Sequence, residues 1–175
     1  MNPSSNTHAR VGETLLGIGE YFFLPEYIEI CYIKQSELVS DYTYLFGVKN
    51  LDTNMEICFN IKVKDGLLTI NGEIPITYGK RSYTHVANFC EFLFNNGFTA
   101  LKTVIHIGYK SLKFEHLSLF YLFNPSERQI FELIRAVCLE VFLIAEYFEA
   151  YLAGESIDFD YLNNSRYELY YQNEI

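Results

Sequence analysis

Between Ala136 and Ala145 the chain reads AVCLEVFLIA, ten residues in which Glu140 is the one polar side chain. At about 100° per residue, Arg128, Glu132, Arg135, Glu146 and Glu149 fall on one stripe roughly 100° wide, the ordinary polar side of an amphipathic helix. In the middle of the helix that same stripe is held by Leu139 and Phe142. A sheet shelters one side of a helix, so the opposite apolar side requires a second cover. Three covers are available: a helix over 83–96, the C-terminal tail, or a second copy of the chain. In the third case Leu139, Phe142, Arg135, Glu146 and Glu149 form a twofold interface, since long helices make self-complementary patches. The run 136–148 is only about 20 Å long, short of a bilayer core, and it carries Glu140 and Glu146, so it is not a membrane span.

Glu140 lies about 120° from the centre of the polar stripe. A carboxylate buried there alone costs several kcal/mol unless it is paired or protonated. It is a proton-transfer or ligand-gripping acid in a pocket, the partner of a central lysine or of Arg81, or a residue that the helix is too short-sided to bury fully. At the start of this helix NPSERQ offers Asn124 as cap, Pro125 in the first turn and Glu127 in the third position of a capping box. Gly154 ends it.

Ahead of the helix the periodicity is that of strands. Met55, Ile57, Phe59, Ile61 and Val63 alternate with Glu56, Cys58, Asn60, Lys62 and Lys64, which gives one buried and one wet face. Tyr42, Tyr44, Phe46 and Val48 form a matching row, with NLDTN as the turn between. Asp65-Gly66 and Asn71-Gly72 both suit two-residue hairpin turns, and Pro75 places the last strand of this meander on an edge. SYTHVANFCEFLFNNGF then changes to helical spacing, with Val86, Phe89 and Leu93 on one face and a glycine cap at Asn96-Gly97. Residues 102–123 return to strand as a hairpin, with Leu117, Leu119, Tyr121 and Phe123 on one face. The expected fold is α+β: an antiparallel meander sheet of about six or seven strands, with one mid-chain helix and a long C-terminal helix packed on one face. One domain over 11–155 is flanked by tails at 1–10 and 156–175, the second acidic and rich in tyrosine.

Charge separates function classes. The net charge is −9, with 8 acids and 3 bases in residues 1–60, 4 and 7 in 61–125, and 10 and 3 in 126–175. Such a chain repels phosphate backbones and attracts basic surfaces, so direct nucleic-acid binding is not expected. The four cysteines show no CxxC spacing and sit mostly in apolar company, the setting of buried free thiols in a reducing cytoplasm. The N-terminal residues lack the apolar stretch of a secretory signal.

Catalytic spacing is sparse. No HxH, HxxxH or HExxH occurs, and no metal or cofactor is expected. If 102–123 is a hairpin, His106 and His116 lie on neighbouring strands and could share a metal only with help from Glu115 or beyond. Cys90 with His85 or His106 would be a nucleophile and base, but it falls on the apolar helix face where thiols are inert. No catalytic residue is assigned. The leading expectation is a non-enzymatic, homodimeric interaction protein that binds and occludes a basic protein, in the manner of inhibitors, immunity proteins or chaperones. The alternative is a small-molecule binder or enzyme whose aromatic-lined pocket uses Glu140, His106 or His116.

Overall fold

The computed structural model describes residues 26–35, 42–64, 67–79, 83–95, 103–119 and 126–155. The alternating rows become six strands: β1 (Ile28–Gln35), β2 (Tyr42–Asn50), β3 (Glu56–Lys64), β4 (Leu67–Ile74), β5 (Thr103–Ile107) and β6 (Leu112–Leu119). Two helices complete the α+β fold, α1 (Tyr83–Asn95) between β4 and β5, and α2 (Glu127–Ala153) after β6. The strands form one sheet in the order β1-β2-β3-β4-β6-β5, and every neighbouring pair is antiparallel.

The inner face of the sheet carries Tyr44, Phe46 and Val48 of β2, Ile57, Phe59 and Ile61 of β3, Leu68, Ile70 and Ile74 of β4, and Leu112 and Phe114 of β6, all buried. β1 reaches the same face through a bulge. Its register shifts between Ile30 and Tyr32, so Cys31 is an extra residue, and Ile30 and Ile33 sit opposite Val48 and Phe46.

Asn71-Gly72 is not a turn. β4 runs straight through it, with Phe59 of β3 and Phe114 of β6 on either side of Gly72. A Cβ at Gly72 would stand 2.6 Å from the Phe114 ring and 2.5 Å from the Cys58 carbonyl oxygen. The missing side chain lets the Phe59 and Phe114 rings meet, centroids 5.2 Å apart. The glycine serves close approach, a role that Asn-Gly shares with turns in composition alone. β4 is therefore interior rather than an edge, and Pro75 stands just beyond its last residue. Asp65-Gly66 lies outside the described residues, though Lys64 pairs with Leu67 across that connection.

In β6 the buried row is Leu112, Phe114 and His116, whereas Leu117 is 46% exposed on the other face. The row expected from the leucines is thus turned outward at Leu117. Tyr121 and Phe123 lie outside the described residues, as do both tails and the glycine cap of α1.

α2 begins two residues later than NPSERQ suggests. Ser126 is its N-cap: the Gln129 N–H donates to Ser126 Oγ (3.3 Å), and the Ser126 N–H donates back to Gln129 Oε1 (2.8 Å). Gly154, at φ +77°, closes it in the left-handed conformation. From Val137 to Phe142 six consecutive residues are buried, which no single flat cover achieves. Phe142 packs on Phe59 of β3 (6.4 Å between centroids), while Glu140 accepts a hydrogen bond from Thr103 of β5. Two residues apart, these side chains diverge by about 200° around the helix axis. The inner face of the sheet thus meets α2 on both flanks, at β3 and at β5. α1 covers the C-terminal end, where Phe89 lies 5.2 Å from Phe148 and 5.1 Å from Tyr151.

Candidate functional site

The sequence singles out Glu140, and the structure places it in a buried polar chain that runs through Thr103 to His116. Thr103 opens β5 directly opposite His116 of β6, and both point inward. Thr103 Oγ1 donates to Glu140 Oε2 at 2.7 Å and lies 3.4 Å from His116 Nδ1. With the hydroxyl proton committed to the carboxylate, the remaining contact is an Nδ1–H donated to the hydroxyl oxygen, which sets the imidazole tautomer. Thr103, His116 and Glu140 are 0%, 3% and 4% exposed. Burial this deep puts the acid and the imidazole within core packing.

His106 does not join them. It lies on the outer face, paired in register with Lys113, and its Nε2 is 3.7 Å from Glu115 on the exposed surface. The two histidines occupy opposite faces of one hairpin and cannot share an ion. Among the described residues no three His, Cys, Asp or Glu side chains form a metal-ligating group. Burial pushes the Cys90 thiol up to about 11, the reverse of an activated nucleophile. His85, its proposed base, is stacked on Tyr151 at 4.2 Å.

The residues expected at an interface part company. Leu139 and Phe142 are each 3% exposed within their own chain. Arg135 pairs with Glu132 (3.6 Å) near the first half of α2. Glu146 and Glu149, by contrast, meet at the far end, beside the turn that joins β2 to β3. That turn is built on Asn50, which is 1% exposed. Its Oδ1 accepts the N–H groups of Asp52 (2.9 Å) and Thr53 (3.1 Å), and its Nδ2 donates to Glu146 Oε1 (3.1 Å). Asn54 follows at φ +59°, a left-handed conformation asparagine tolerates.

Between this turn, the segment after β4 and α2 opens a groove of about 500 Å³, lined by Thr53, Asn54, Met55, Glu56, Pro75, Ile76, Thr77 and Glu149. Asp52, Glu56, Glu146 and Glu149 make its surroundings acidic, with Lys49 opposite Glu56 in register. Partial burial of the carboxylate raises the Glu146 pKa, the Asn50 amide works against that, and the charges of Asp52 and Glu149 raise it further. Sequence reasoning found Glu146 and Glu149 as helix surface but missed Asn50, Asp52 and Glu56. NLDTN is legible as a turn, yet nothing local says that its first residue bonds a carboxylate 96 positions away.

No helix among the described residues is long and apolar enough to cross a membrane. No protein-family model matches the chain, and no curated protein is significantly similar to it.

Proposed function

We propose that the chain is a non-enzymatic interaction module that binds and occludes a basic segment of another protein, the role of an inhibitor or immunity-type protein in the cytoplasm. The observation that supports it is the acidic groove: Glu56 and Glu149 line it, and Glu146 beside it has a pKa raised first by burial and then by the charges of Asp52 and Glu149, a crowding of like charge that a cation seated there would offset. Thr53, Asn54 and Thr77 add neutral hydrogen-bonding groups, and Met55, Pro75 and Ile76 an apolar floor for the stem of a lysine or arginine. A homodimer belongs to this proposal only through a surface other than Leu139 and Phe142, which the chain itself covers. The test is fluorescence anisotropy with labelled oligolysine and oligoarginine peptides at low and high salt. The wild-type protein should bind them in a salt-sensitive manner, and Glu56→Lys/Glu149→Lys should weaken binding about tenfold or more, two charge reversals each worth ~1 kcal/mol. Equal binding by both proteins would sink the proposal.

A second reading, a small-molecule binder or proton-handling enzyme, draws on the Glu140–Thr103–His116 chain. Native mass spectrometry of the purified protein separates the two: a stoichiometric small molecule lost on Thr103→Val would move the assignment to this reading.

A further inference from the structure

The sheet has two edges, and they are built differently. β1 carries the bulge at Cys31, a charge at Glu29 and another at Lys34, whose ammonium lies 5.0 Å from the Tyr32 ring centroid. Bulges and charges are the usual devices that keep an edge strand from pairing with a second molecule. β5 has neither. Its sequence, TVIHI, contains no acid, lysine or arginine and is four-fifths β-branched, and its register with β6 is unbroken. Among the described residues it pairs with β6 alone. Large apolar side chains are exposed on it and on the elements next to it: Val104 at 49%, Leu117 of β6 at 46%, Tyr109 at 72% in the connection after β5, and Phe94 at 75% on α1, the helix that contacts β5.

We infer that β5 is the self-association edge of this protein, and that a second copy adds its own β5 antiparallel across a twofold axis. An axis through Ile105 sets Val104 opposite the second copy's His106, Thr103 opposite its Ile107, and Ile105 against itself. No like charges then face each other, and β-branched residues pair across the seam, the favourable cross-strand arrangement. The two six-stranded sheets become one, and the undefended edge disappears. This interface is independent of the acidic groove, which lies beside the β2–β3 turn, so either can fail without the other.

Light scattering and hydrogen exchange test the inference. The wild-type protein should show twice the 20.4 kDa chain mass at high micromolar concentration. Val104→Lys, at a half-exposed position that leaves the core intact, should return it to the single-chain mass, whereas Lys34→Glu on β1 should not. In the wild type the β5 amides, 103–107, should exchange more slowly as concentration rises, while those of β1 stay constant, a readout that needs no variant. A single-chain mass at every concentration, a dimer that survives Val104→Lys, or β5 exchange indifferent to concentration would each overturn it.

Discussion

Thr103 is a small residue with a large share of the polar work in the core. Its hydroxyl donates to Glu140 and lies within reach of His116 Nδ1. Thr103→Val keeps the shape and removes the hydroxyl, so it should destabilise the protein by about 1–3 kcal/mol in urea unfolding, the usual cost of stripping a buried polar group of a partner. Thr103→Ser should recover most of that loss. The residue was invisible in the sequence because its importance comes from pairing with His116, thirteen positions away, and from a helix still further on. Glu140 was legible, since a carboxylate in an apolar run demands an explanation whatever the fold. Gly72 was misread for a related reason. Asn-Gly is the strongest local signal for a hairpin, and the competing role, room for the Phe59 and Phe114 rings, exists only once three strands are side by side.

At the scale of elements, period and length decided correctly where the pattern was long. The 27 residues of α2 and the row from Ile57 to Ile61 stand where hydrophobic spacing put them. Failures came where one polar residue sat on the buried side. His116 occupies an inward position in β6, so the leucine row beside it looked like the core face. For α2 the sequence allows three second covers, and α1, one of the three, lies against its C-terminal end through Phe89, Phe148 and Tyr151. The distinction has an experimental signature. Leu139→Glu and Phe142→Glu place a carboxylate among buried side chains, and each should abolish cooperative unfolding, with loss of near-ultraviolet circular dichroism. Well-folded, soluble variants would show instead that these positions lie at an interface that opens to water.

Across the whole molecule, charge is divided by sequence and regrouped by the fold. The acidic last third brings Glu146 and Glu149 to a turn that supplies Asp52, so acids distant in the chain become neighbours. A carboxylate with a raised folded-state pKa binds protons more readily folded than unfolded, so its ionisation costs stability. For Glu146 that cost is absent below the unfolded value of 4.5 and complete above the raised folded value, which means its contribution worsens as pH rises through the window between them. Glu146→Gln keeps an oxygen for the Asn50 amide and removes the charge. It should raise the melting temperature at neutral pH and leave it unchanged at the acid end of that window, as differential scanning calorimetry would register. An equal effect at both ends would place the cause in packing rather than ionisation. Net acidity was plain from composition. The clustering was not, because it depends on which strand ends the helix happens to reach.

The order in which the parts leave the ribosome adds a final consequence. β1 to β4 are complete by Ile74, yet α2, the element that their inner face packs against, starts only at Glu127. For all the synthesis in between, Phe46 and Phe59 have no helix to lie against. A nascent chain of this design passes through a long greasy half-finished stage, the state from which partly made proteins aggregate. Its yield in the cell should therefore depend on translation speed and chaperone supply more than the stability of the finished fold would suggest.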